Sequence, residues 1–166
     1  MNIYLFFIIN VLIIAWPVAF LEIIIEKDKG WGAGHPKDKW YGKIIGENNP
    51  IAKAIVNALG VPYIFGYGLV MYGIIIPAIL VIEYFVLTQN VFLLLGTFFA
   101  ICFVEDFSWF VFNWYFDSLS QLLKGPNGSI WWHKKWVRVF KDKYLPMSYF
   151  TGLALTIVFL LLASNW

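Results

Sequence analysis

The chain reads as an all-α polytopic membrane protein, with four transmembrane helices and two short interfacial helices on the cytoplasmic side. Three observations predict that class. Of 166 residues, 61% are hydrophobic and 13% charged, and the mean hydropathy is +0.73. A soluble domain averages about 45–50% apolar and roughly 25% charged, and a chain this short has too small an interior to hide the excess from water. The apolar residues fall into four runs of spanning length. All twelve basic residues fall into two of the connecting loops. The length argues for a single membrane domain over residues 1–166.

In chain order, residues 3–25 are apolar except for Asn10 and Glu22, and at about 1.5 Å per residue they cross the ~30 Å hydrocarbon core. Pro17 stands in mid-run and predicts a kink that neighbouring helices tolerate. No basic stretch precedes the run and no A-x-A-type site follows it, so it reads as a retained helix. Residues 26–61 are polar and hold the glycine-rich stretch from Gly30 to Pro36. Within them, Asn49 and Pro50 have the form of an N-cap and a first helical residue. Ile51, Ile55, Val56 and Leu59 recur at helical spacing, and Gly60 supplies a stop. Residues 50–59 are therefore expected as an amphipathic helix on the membrane surface.

Residues 63–87 form the second span, with Pro77 and Glu83 inside it. Thr88, Gln89 and Asn90 turn the chain directly into the third, residues 91–116. The fourth, residues 147–163, is near the lower limit of spanning length. Between spans three and four, Gly125-Pro126-Asn127-Gly128 is a turn. Ser129 is expected to cap a second interfacial helix over residues 130–141. On a helical wheel it sets Trp132, Trp136, Val139 and Phe140 against Lys134, Lys135, Arg138 and Lys141.

Orientation follows from charge. Lys27, Lys29, Lys37, Lys39, Lys43 and Lys53 lie in the first loop, and Lys124, Lys134, Lys135, Arg138, Lys141 and Lys143 in the third. The positive-inside rule puts both loops in the cytoplasm and both termini outside, in a multi-pass protein of the cell membrane. Tryptophans beside the basic faces favour lipid headgroups over nucleic acid as partners. The one cysteine, Cys102, sits in an apolar run and reads as a packing residue. No internal repeat is visible, so an inverted-repeat transporter has no support.

Function is suggested by the third span. A charge at mid-membrane costs about 2.5–3.5 kcal/mol on insertion scales, so Glu105 and Asp106 need a reason. At 100° per residue, Asp106, Trp109, Asn113 and Asp117 share an arc of about 80° on one helical face. Topology brings Glu22, Glu26, Asp28, His35 and His133 to the same side of the bilayer. Glu22 and Glu26 are near enough to the interface for solvation to account for them. Glu83 belongs at the other end.

Three uses of this constellation are open. In the first, Asp106 or Glu105 exchanges a proton with a lipid or isoprenoid. Asn113 orients the acid, His133 is a second proton-transfer group or headgroup contact, and Trp109, Asp117 and Trp132 line the substrate position. Aromatic faces such as Trp109 and Trp114 would stabilise a developing cation. In the second, Glu105 or Asp106 joins His133 and His35 around a divalent metal. Adjacent helical residues diverge by 100°, however, and no HExxH or related motif occurs, so no metal site and no cofactor is assigned. In the third, the protein is a non-enzymatic accessory subunit whose polar stripe docks against a membrane-protein partner or a lipid headgroup. The stretch from Gly30 to Gly34 is no P-loop, because the Lys-[Ser/Thr] pair is missing. The expectation is an acid/base membrane enzyme surrounded by membrane lipids, with a lipophilic substrate.

Overall fold

The computed structural model describes residues 3–46 and 48–165. Among them, four helices are long and apolar enough to cross a membrane: α1 (Ile3–Glu26), α3 (Gly66–Thr88), α4 (Val91–Phe112) and α6 (Met147–Ser164). The shorter elements are α2 (Pro50–Leu59), α5 (Ser118–Lys124), the ladder β1 (Ile44–Ile45) with β2 (Ile64–Phe65), and the hairpin β3 (Trp136–Phe140) with β4 (Lys143–Pro146). They all lie in the loops that carry the basic residues.

The most buried of the four long helices is α4, which packs against both α1 and α6. Small residues permit the close approach. Ala15 and Ala19 of α1 are fully buried, as is Ala100 of α4 to within 1%. A Cβ on Gly96 would meet Phe159 and the Thr156 carbonyl at 3.4–3.5 Å. Helices in lipid gain no hydrophobic drive toward one another, so such contact is what holds them. The outward faces carry exposed Ile13, Ile82, Phe85 and Leu161, which suits hydrocarbon as the surrounding solvent. These features are those of an integral, multi-pass membrane protein. At the end away from the basic loops, Asn90 Nδ2 donates to the Ala163 carbonyl at 3.0 Å and ties α4 to α6. Asn10 Nδ2 likewise donates to Glu83 at 3.1 Å and ties α1 to α3.

The helix over residues 50–59 forms with the expected cap. The Asn49 side chain accepts from Ile51 N at 2.8 Å, and Gly60 closes the helix at φ +69°. The helix expected over residues 130–141 does not form. Residues 130–135 run without regular structure, and Trp136–Phe140 pairs with Lys143–Pro146 in the register Trp136 to Pro146 and Val137 to Leu145. Trp136, Val137, Val139 and Phe140 are β-branched or aromatic and suit a pleated surface as well as a wheel, and Lys141 turns the chain at φ +39°.

The third span also ends earlier than expected, at Phe112 rather than residue 116. Asn113 leaves the helical region at ψ 113°. Its Oδ1 accepts from Tyr115 N at 2.9 Å, and its Nδ2 donates to the Lys27 carbonyl at 2.7 Å. An asparagine side chain competes for backbone partners in this way. The short helix α5, anchored by fully buried Leu122, follows and has no counterpart in the expectations.

Candidate functional site

Apart from Thr97 and Thr156, the buried polar residues gather where the basic loops meet the bundle. Glu26, His35, Glu105, Ser108, Asn113, Ser118 and His133 are all buried there. The two adjacent acids of α4 serve different groups of partners.

Glu105, 2% exposed, points into the bundle. Tyr72 Oη lies 2.6 Å from Glu105 Oε2 and 3.2 Å from Glu22 Oε1. A phenol carries one proton, so Tyr72 donates to the nearer acid, Glu105, and stands beside Glu22. Tyr72 reaches both acids from a π-helical turn, Met71–Ile75, within α3. Turns of this kind recur at functional sites. Glu22 thus meets a phenol inside the bundle, which corrects the expectation of simple solvation.

Asp106 turns toward α6. Its Oδ2 accepts from Tyr149 Oη at 2.5 Å, and His133 Nε2 stands 3.3 Å from the same oxygen. The Asp106 side chain is 24% exposed and that of His133 is 6% exposed. The rings of Phe110, Trp132, Trp136 and Tyr149 surround the imidazole at centroid distances of 5.6–6.2 Å. The segment carrying His133 is pinned by its backbone: Lys134 N donates to the Gly60 carbonyl at 3.0 Å, and Met147 N to the Lys135 carbonyl at 2.9 Å. In this irregular stretch Trp132 and His133 are buried together and Lys134 and Lys135 are exposed.

A second histidine–carboxylate pair lies in the glycine-rich loop. Glu26 Oε1 accepts from Gly32 N at 2.6 Å, and His35 Nε2 is 3.8 Å from that oxygen, too far for a hydrogen bond. Tyr41, Phe65 and Tyr67 ring the imidazole at 5.6–5.8 Å. Burial pushes the His35 pKa below its ordinary value. Gly32, at φ +66°, has the Phe65 ring where a Cβ would stand.

Of the expected site residues, Asp106 and His133 come together, whereas Glu105 turns to Tyr72 on the other side of α4. Trp109 and Trp132 lie behind His133 as buried walls, edge to face at 5.7 Å, and Trp132 stacks on Phe110 at 5.8 Å. Asn113 does not orient Asp106, because its amide caps α4 and holds the Lys27 carbonyl. Asp117 lies beyond the end of α4 and is exposed, so the four-residue polar stripe breaks after Trp109. Tyr72 and Tyr149 escaped the sequence reading. The signal for them was a phenol near the loop end of each of two apolar runs.

Among the described residues, His35 Nε2, Tyr67 Oη, Glu105 Oε1, Trp109 Nε1 and His133 Nε2 are buried with no hydrogen-bond partner. Buried polar atoms are nearly always paired, and an unpaired one costs about 1–3 kcal/mol. These five divide between the loop cage (His35 and Tyr67), the bundle side of α4 (Glu105) and the Asp106 side (Trp109 and His133). Among the described residues, no three His, Cys, Asp or Glu side chains converge as metal ligands would. Comparison with known protein families, curated proteins and solved structures finds no match to this chain.

Proposed function

We propose that the protein is a membrane-embedded enzyme that moves a proton on a lipid or isoprenoid at the cytoplasmic face, with both basic loops in the cytoplasm and both termini outside. The observation that carries this reading is Asp106. It is an acid inside an apolar helix, in contact with a phenol and an imidazole from two other segments, and it keeps a quarter of its side chain exposed while the His133 imidazole beside it is buried. A purely structural acid has no need of that open edge.

In this reading Asp106 and His133 exchange the proton with the substrate. Tyr149 positions Asp106 through its hydrogen bond. Trp109, Trp132 and Phe110 exclude water and hold the imidazole in place. Glu105, Glu22 and Tyr72 on the opposite side of α4 lock α3 to the bundle. The exposed Ile51 and Ile55 of α2 seat that helix in the interface.

The test compares lipid extracts, by mass spectrometry, from cells lacking the protein, cells carrying it, and cells carrying Asp106→Asn. The expected result is at least one lipophilic species that the native protein consumes and that persists in the variant. Identical lipid complements in all three, with both proteins folded in the membrane, would sink the enzyme reading and leave an accessory subunit.

A further inference from the structure

Between α2, the β1–β2 ladder and the segment after His133 lies a cavity of about 360 Å³, at the lower end for small-molecule sites. Ile45, Val56, Pro62 and Ile64 give it apolar walls, and two cations reach it, Lys53 from α2 and Lys134 from the third loop. No described residue that lines it is acidic. Among the described residues neither ammonium has an ion-pair or hydrogen-bond partner. By contrast, Lys39 pairs with Asp38, Arg138 with Asp142, and Lys135 Nζ donates to the Asn57 carbonyl at 3.2 Å. The walls are held from three sides. Ile45 pairs with Ile64 across the ladder, and Lys134 N donates to the Gly60 carbonyl at 3.0 Å. Trp31 Nε1 donates to the Tyr63 carbonyl at 2.9 Å, and Tyr63 Oη returns a bond to the Trp31 carbonyl at 3.3 Å. A Cβ on Gly46, at φ +68°, would come within 2.6 Å of Ala52 Cβ, so glycine lets the end of β1 close on α2. On α2 the cavity touches Ala52, Lys53, Val56 and Asn57. At about 100° per residue that arc is centred about 150° from Ile51 and Ile55, which are both exposed. With those isoleucines seated in the interface, as proposed above, the cavity opens away from lipid and toward water.

We propose that this cavity binds the phosphate of a small water-soluble phosphomonoester, with the organic part of the ester on the apolar walls. Charge selects the group. A phosphomonoester carries about −1.5 to −2 near pH 7, which matches two lysines. A carboxylate, a sulfate ester or a phosphodiester carries a single charge and leaves one cation unmatched. Lysine meets phosphate as a point charge, so two ammonium groups from distant segments can close on one phosphate without the planar register that arginine needs. The apolar walls favour an ester over inorganic phosphate, because the organic part covers Ile45, Val56 and Ile64 from water. The two lysines also join α2 to the segment that carries His133, so an occupied cavity ties the first basic loop to the third. The proposal does not depend on proton transfer at Asp106.

The test is calorimetric titration of the full chain in phosphatidylcholine nanodiscs at about pH 8, above the second phosphate pKa of about 6. Phenyl phosphate is the probe. Phenyl sulfate, of nearly the same shape with a single charge, is its control. Phenyl phosphate should bind about ten-fold more tightly than phenyl sulfate or inorganic phosphate. Lys53→Gln and Lys134→Gln should each weaken phenyl phosphate about ten-fold, the loss of one charged hydrogen bond. Both side chains are exposed, so the fold is not at stake in either variant. Lys143→Gln, an exposed lysine outside the cavity, should bind as the native chain does. Phosphatidic acid added to the nanodiscs should not displace the probe; displacement would overturn the water-facing assignment and give the phosphate to a lipid headgroup. Absent binding, equal affinity for phosphate and sulfate esters, or indifference to both lysine variants would each overturn the site. Binding needs no turnover, so Asp106→Asn should bind the probe as the native chain does, and a negative titration leaves the acid/base reading to the lipid comparison.

Discussion

The loop pair His35–Glu26 and the bundle pair His133–Asp106 contain the same two chemical groups in the same kind of aromatic cage. They differ in what the carboxylate is already doing. Glu26 accepts a short hydrogen bond from Gly32 N, stands 3.8 Å from its histidine, and both side chains are 3% exposed. Asp106 is held by a phenol, stands 3.3 Å from its histidine, and has an open edge. The first arrangement anchors a glycine-rich loop to the end of α1. The second leaves the carboxylate partly exposed, as the proposed proton transfer requires. Residue types alone do not separate the two arrangements; the difference lies in the carboxylate's other partner and in its access.

Histidine replacement separates the two pairs most sharply. His133→Gln should lower lipid conversion by about 10²–10⁴-fold, the usual loss of a general acid–base group, with little change in the melting temperature of the detergent-solubilised protein. His35→Gln should do the reverse. Equal losses of activity in both variants would erase the distinction. Gly32→Ala attacks the anchor from its backbone: a side chain at φ +66° facing the Phe65 ring should cost about 1–3 kcal/mol. The readout is the denaturation midpoint, and lipid conversion per folded molecule should be unchanged.

Acidity is a gentler probe. Burial lowers the pKa of His35 in the fold, so the unfolded chain takes up that proton first as pH falls. The stability contributed by neutral His35 is complete above about pH 6.5, the free imidazole value, and declines as pH drops below it toward the folded value. The melting temperature should therefore fall more between about pH 7 and pH 5 in the native protein than in His35→Gln. Parallel curves would show that His35 does not titrate in that range. The smallest effect belongs to neither pair. Asn10→Ala removes the tie to Glu83 and should cost only about 0.6 kcal/mol, the average for polar contacts between membrane helices, with lipid conversion unaltered.

Much of this was legible in the residues. Four apolar runs became four long helices, and Asn49, Pro50 and Gly60 set the limits of α2, because these signals are local. The acids of the third span also stood out locally, since a charge in an apolar run has few explanations. The segment over 130–141 misled because tryptophan, valine and lysine alternate in a way that suits a wheel and a strand alike. The deciding contacts, Lys134 N on Gly60 and Met147 N on Lys135, come from distant parts of the chain. Asn113 looked like a continuation of the polar stripe, but a bond to Lys27, which lies far away in the sequence, ends the helix there. Tyr72 and Tyr149 were missed because a phenol in an apolar run has no periodicity that marks its partner.

The π-helical turn at Met71–Ile75 has a consequence for how the cluster can be gained or lost. Such a turn accommodates one residue more than the surrounding helix needs. A single-codon deletion at Gly73 would restore regular winding at that turn, with the second π-helical turn at Tyr84–Thr88 untouched, and still leave a segment long enough to cross a bilayer. It would also rotate Tyr72 by about 100° against the half of the helix beyond it. One inserted or deleted residue therefore decides whether the Tyr72 phenol bridges Glu22 and Glu105.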